Sequence, residues 1–119
     1  MIAPRLWIES LNRGDTSVAE RVFAADCVIH INGSPQPTLS VDGFTQMIAG
    51  FLGAFPDLHF TIEDQIVAGD NITTRWTAEG THSGALGPVP PTARRVRNDG
   101  LILDRVAAGK IVERWEQWD

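Results

Sequence analysis

At 119 residues, with 43% apolar and 21% charged side chains, the chain has the size and composition of one folded domain, residues 1–119, with a real core. A net charge of −5 and a pI near 5.0 exclude the basic face that nucleic acid requires. No run approaches the roughly 20 apolar residues of a membrane span, and no basic-then-apolar leader opens the chain, so a cytoplasmic setting is expected. Arg94, Arg95 and Arg97 do not share one strand face and read as solvated surface. The single cysteine, Cys27, lies in the apolar run Cys27-Val28-Ile29 and reads as a small buried hydrophobe. His30, His59 and His82 are scattered without ligand spacing, so neither a metal nor another cofactor is expected.

Pro4 suits the first turn of a helix that carries Leu6, Trp7, Ile8 and Leu11 at helical spacing and closes at Asn12-Arg13-Gly14. Asp15 or Thr16 caps a second helix, which buries Val18, Val22 and Phe23. Cys27 to Ile31 is a short strand, ended by the loop signal Asn32-Gly33-Ser34-Pro35. Ser40 or Asp42 caps a third helix with Phe44, Met47, Ile48, Phe51 and Leu52 on one face and Pro56 as its stop. The period then changes to two: Leu58, Phe60 and Ile62 alternate with His59, Thr61 and Glu63. Ala68-Gly69-Asp70-Asn71 turns into a strand from Ile72 to Gly80. Gly84 to Pro91 reads as a rim loop. Ala93 to Val106 and Lys110 to Trp118 are two long strands joined by Ala107-Ala108-Gly109-Lys110. The order gives an α+β domain with three helices gathered on one side of a curved, mainly antiparallel sheet. The last two strands carry Asp104, Arg114 and Glu116 at positions that should point inward, and buried carboxylates are the mark of a pocket.

Several phrases together carry a resemblance that covers most of the chain. They are Asn12-Arg13-Gly14-Asp15, Phe55-Pro56-Asp57-Leu58, and Gly69-Asp70 before Thr74-Arg75-Trp76-Thr77. Gly80-Thr81-His82-Ser83-Gly84 and Pro90-Pro91-Thr92-Ala93-Arg94 follow, then Arg105-Val106 with Gly109-Lys110-Ile111-Val112-Glu113. In these the chain resembles the nuclear-transport-factor-2-like superfamily and, within it, the SnoaL-like polyketide cyclases. The resemblance implies a cone-shaped α+β barrel whose mouth takes a small apolar metabolite and whose outer sheet face makes a homodimer. Members of the fold include ester cyclases, epoxide hydrolases resembling limonene-epoxide hydrolase, ketosteroid isomerase, dehydratases and non-catalytic binding domains, so fold alone does not give the reaction.

By resemblance to the cyclases, the acid/base is the carboxylate six positions beyond the Lys of the Gly-Lys-Ile turn, which here is Glu116. The Gln and His that face it in those enzymes fall on Gly100 and Ile102, neither of which offers a side-chain donor. By the period-two rule Asp104 shares their face and can meet Arg114 or Glu116 across the hairpin. The epoxide hydrolases of the fold use Tyr-x-Asn, Arg-x-Asp and a last-strand Asp, matched here by His30-x-Asn32, Arg75-x-Thr77 and Glu116. His30 and Asn32 are expected to face the mouth from a strand end. The candidate catalytic set is therefore Glu116, His30, Asn32 and Asp104, with Arg75, Trp76, His82, Ile102 and Trp118 as substrate-binding residues. With no tyrosine in the chain, the Tyr oxyanion donor of ketosteroid isomerase is absent. The expected function is cofactor-independent proton transfer on a small apolar metabolite, of cyclase or isomerase type. An epoxide hydrolase and a non-catalytic ligand-binding or dimerisation domain are the alternatives.

Overall fold

The computed structural model describes residues 2–32 and 38–118, so the expected loop residues Gly33, Ser34 and Pro35 lie outside the described residues. Helix α1 spans Ile2–Asn12 and buries Trp7, Ile8 and Leu11. It stops as its sequence suggests. Gly14 takes φ +69°, and the amides of Gly14 and Asp15 return to the carbonyls of Leu11 and Ser10 at 2.9 Å each. Asn12 then ties the helix end to an edge strand, its side chain bonding both the N–H (2.7 Å) and the C=O (2.9 Å) of Phe60.

The second helix is shorter than its pattern suggests. α2 is only Ala19–Val22, and its N-cap position is Val18, without a side-chain cap. Neither Asp15 nor Thr16 caps it. The Asp15 carboxylate instead accepts the Ser17 N–H at 2.8 Å, a local turn two residues on. Phe23, expected on that helix, has extended backbone and begins strand β1, Phe23–Ile31. Its Cα pairs with Ile111, so tertiary pairing overrides the helical spacing of Val18 and Val22.

A two-residue strand, β2 (Thr38–Leu39), pairs antiparallel with β1 and was not foreseen. Helix α3 spans Val41–Ala54; Ser40, rather than Asp42, is its cap, accepting the Gly43 N–H at 3.2 Å. Ser40→Ala is expected to lower unfolding stability by about 1 kcal/mol, read from the shift of the urea midpoint at constant slope.

Four strands complete the chain: β3 His59–Ala68, β4 Asn71–Thr81, β5 Arg95–Ala107 and β6 Lys110–Trp118. Ala108 at φ 51° and Gly109 at φ 79° make the expected β5–β6 turn, two left-handed residues that match the twist of a tight hairpin. Ala93, expected in β5, instead takes φ 59°. Its N–H bonds the His82 carbonyl at 2.8 Å while the His82 N–H bonds Arg94 at 2.9 Å, and these two bonds close the base of the rim loop.

The sheet order is β2-β1-β6-β5-β4-β3. All neighbours are antiparallel except β1 and β6, which run parallel from Val28↔Glu113 to Ile31↔Glu116 after a bulge. The curved sheet receives α1 against β3 and β6, and α3 against β1 and β2. Between helices and sheet lies an aromatic knot in which Trp7, Phe23 and Phe44 have ring centroids 5.1 to 6.0 Å apart. Cys27 lies in the same core, and burial pushes its thiol up to about 11, so it is protonated and inert at neutral pH.

Candidate active site

The inward faces of β4, β5 and β6 follow from alternation. Trp76 and Ala78 on β4, Asn98, Gly100 and Ile102 on β5, and Arg114, Glu116 and Trp118 on β6 all point toward the helices. With Ile48 and Phe51 of α3 opposite, they enclose a cavity of about 220 Å³. Its wall is mostly aliphatic and aromatic, and its polar side chains are Asn98, Arg114 and Glu116.

Arg114 and Glu116 belong to a buried charge cluster. Asp104 pairs directly with Arg114 across the hairpin, and Ile102 with Glu116. The Arg114 guanidinium grips Asp104 with two bonds, Nε to Oδ1 at 2.6 Å and Nη2 to Oδ2 at 3.0 Å, the fork geometry that suits a carboxylate. Its Nη1 donates to Glu116 Oε2 at 3.2 Å, and the Trp118 indole N–H donates to Glu116 Oε1 at 3.0 Å. The guanidinium also sits 5.1 Å from the Phe23 ring centroid and 6.0 Å from that of Phe44. Asp104, Arg114 and Glu116 are 0%, 1% and 7% exposed.

One guanidinium thus serves two carboxylates. Burial raises the pKa of Glu116 above the ordinary carboxylate range, and the attraction of Arg114 only partly offsets it. For Arg114, burial works against the charge, but the pull of Asp104 and Glu116 is greater and the guanidinium stays protonated. The cavity wall therefore holds a carboxyl group whose burial favours its protonated form.

Of the expected site residues, Glu116, Trp76, Ile102 and Trp118 meet at this cavity. Asp104 stands behind Arg114 with both oxygens engaged, and so is a partner of the guanidinium rather than part of the wall. His30 and Asn32 lie on the other face of the sheet, a correction with a simple cause. Cys27, Ile29 and Ile31 take the buried side of β1, which turns the residues between them outward. His30 bonds Glu113 through Nε2 at 2.7 Å and stacks on Trp115 at 5.3 Å. Asn32 is exposed, its backbone N–H bonding the Glu116 carbonyl at 3.0 Å.

Arg75 is also outward, holding Asp64 through Nε (3.1 Å) and Nη2 (2.7 Å), and Thr77 donates to Glu63 at 2.8 Å. Of the positions matched to the epoxide hydrolases, Glu116 therefore lines the cavity, and His30, Asn32, Arg75 and Thr77 do not. His82 is buried at the rim, its Nδ1 3.0 Å from Thr92 Oγ1 and its ring stacked 5.2 Å from that of Phe55. It stands next to the cavity without lining it.

Gly100 explains a departure already visible in the sequence. Trp76 and Trp118 flank it on the neighbouring strands. A Cβ there would meet Trp76 Cζ2 at 2.6 Å and Trp118 Cβ at 2.8 Å. The two indoles fill the place of the side chain that the cyclases carry. Gly100→Ala is expected to destabilise the fold by about 1–3 kcal/mol through overpacking. Pairing it with Trp76→Phe should restore part of that loss, as a double-mutant cycle in urea would show.

Arg114 faces inward as its place on the last strand implies, and one further wall residue follows from the same alternation, Asn98, by counting back from Gly100. Among the described residues no helix is long and apolar enough to cross a membrane.

Comparison with known proteins fits this geometry. A family model described as SnoaL-like polyketide cyclase matches residues 2–119. No functionally curated protein matches. Among solved structures, IdmH from Streptomyces antibioticus, a candidate polyketide cyclase, is 32% identical with a TM-score of 0.86, over 98% of this chain and 89% of that one. AclR from Streptomyces galilaeus, a candidate hydroxylase, is 26% identical with a TM-score of 0.88, over 99% and 73%. A candidate SnoaL-like polyketide cyclase from Jannaschia Sp. CCS1, at 17% identity and a TM-score of 0.85 over 98% and 83%, shares the fold. The chain belongs to the SnoaL-like polyketide cyclase family.

Proposed function

We propose that this chain catalyses cofactor-free proton transfer on a small, mostly apolar carbonyl compound, as in a polyketide-type cyclisation or isomerisation. The observation that carries the reading is Glu116, a carboxyl group with a raised pKa in the wall of a mostly apolar cavity. Removing a proton from carbon next to a carbonyl needs a base whose pKa approaches the working pH, and burial moves Glu116 that way. The C–H pair becomes the C=C of an enolate and the carbonyl π pair moves to oxygen. The proton held on Glu116 then returns to a second carbon, or to the oxygen released when the enolate closes a ring. Trp118 and Arg114 fix the carboxyl so that it meets the substrate in one orientation. The volume, about 220 Å³, is below the usual 300–1,000 Å³ of drug-sized pockets and suits one or two rings.

A second reading has its own support. Both Glu116 oxygens are already hydrogen-bonded within the protein, as they would be in a binding domain that keeps the cone without chemistry. A panel of enolisable ketones and ketoesters, with epoxides beside them, separates the two. Turnover by the parent and loss of it in Glu116→Gln supports proton transfer. Equal turnover by both removes Glu116 as the base, and binding without turnover by either favours the second reading. The homodimer implied by the family would use the outer sheet face, where Leu101 and Leu103 are 50% and 38% exposed; sedimentation measures it.

A further inference from the structure

A base at one end of the cavity needs a donor for the oxygen that gains charge, and the positions that supply donors in the cyclases are here Gly100 and Ile102. The wall holds a replacement. Trp76 is 5% exposed, lines the cavity, and its indole N–H has no hydrogen-bond partner among the described residues. An indole nitrogen is a donor only, and a buried donor left unpaired costs roughly 1–3 kcal/mol. The facing tryptophan differs, since the Trp118 N–H is committed to Glu116.

The direction of the ring is set by Gly100. The Trp76 atoms closest to that glycine are Cζ2 and Cε2, and Cε2 is bonded to the nitrogen. The nitrogen-bearing edge therefore lies against β5, the strand between Trp76 and Glu116. Trp76 and Trp118 pair with Gly100 from either side, so their Cα atoms stand roughly 10 Å apart, with Glu116 roughly 7 Å further along β6.

We propose that the Trp76 N–H is the donor that receives the carbonyl or enolate oxygen of the ligand, opposite Glu116, so that the cavity selects a flat apolar compound with one carbonyl oxygen. This deepens the proton-transfer reading and rests on it for the enolate, though the binding of a carbonyl does not. The nitrogen is covered when the cavity is empty, and a small turn of the ring, packed edge-on against Phe60 at 5.4 Å, brings it to the ligand.

The test uses 2-tetralone, an enolisable two-ring ketone, and tetralin, the same skeleton without oxygen. Protein labelled with 15N-tryptophan gives indole resonances from Trp7, Trp76, Trp115 and Trp118, and the one missing in Trp76→Phe is assigned to Trp76. The ketone is expected to move that resonance downfield and tetralin to leave it. Trp76→Phe should lose roughly tenfold more affinity for the ketone than for tetralin, the value of one hydrogen bond. A ketone that fails to bind at millimolar concentration, that leaves the Trp76 resonance in place, or that binds Trp76→Phe equally well overturns the proposal. Exchange of the ketone's α-protons in D2O keeps the two ideas apart. Exchange lost in Glu116→Gln but unchanged in Trp76→Phe sinks the donor and leaves the base. A Trp76 shift without any exchange by the parent keeps the donor and sinks the catalytic reading.

Discussion

Arg114→Met is expected to lower the unfolding free energy by about 3–5 kcal/mol, a large share of the 5–15 kcal/mol that holds a domain of this kind. Methionine fills much of the space beside Phe23 and Phe44, so the loss is electrostatic rather than a cavity. The substitution strands the Asp104 and Glu116 carboxylates, 0% and 7% exposed, without the guanidinium that bonds both. Removing one partner of a buried cluster costs far more than the cluster contributes, because a charge remains without water or counter-ion. Replacing all three, as Asp104→Leu, Arg114→Met and Glu116→Leu together, should therefore recover most of the loss. The single variant's deficit should also shrink in acid. Burial already raises the Glu116 pKa in the fold, and the missing guanidinium raises it further. The folded variant then binds more protons than the unfolded chain, and stability rises as pH falls. Urea titrations at two pH values measure all of this. An unchanged midpoint in Arg114→Met would mean that the cluster is hydrated rather than dry.

The strands that build the cavity were legible because one of their faces is buried. Along β4, β5 and β6 one parity rule places Trp76, Ile102, Arg114, Glu116 and Trp118 on the cavity face. The same rule applied to β1 would have turned His30 outward, since Ile29 and Ile31 claim the core. What stayed hidden depends on partners far along the chain. The Phe23-Ala24-Ala25-Asp26 stretch has no alternation, and it is a strand because β6 lies beside it. The two residues of β2 are too few to carry a period. Whether Asp104 meets Arg114 or Glu116 turns on the register of the last hairpin, where a bulge falls between Arg105 and Val106. The free indole of Trp76 follows from Gly100, and a glycine in a strand signals close approach without naming what approaches.

Glu116→Gln is expected to reduce turnover of an enolisable carbonyl substrate by about 10²–10⁴-fold, the usual worth of a positioned proton carrier. Glutamine keeps the length of the side chain and an oxygen for the Trp118 N–H, so binding should change far less than kcat. The pH dependence gives the sharper reading. A base must be ionised, so kcat/KM of the parent should fall as pH drops through the Glu116 pKa, which burial holds above the ordinary carboxylate value of about 4.3. A limb near that ordinary value would mean that water reaches the carboxylate and that the cavity is not the dry site described. Stability supplies an independent check on the same group. With a folded pKa above the unfolded one, the protonated carboxyl favours the fold fully below the unfolded value, and that contribution is lost as pH rises through the folded value. Glu116→Gln has no such proton to lose. The parent should therefore weaken over that interval while the variant holds level, and the loss should level off at the pH of the acid limb of kcat/KM. If the loss levels off at a different pH from that limb, the group that limits catalysis is not the carboxyl at the end of the cavity.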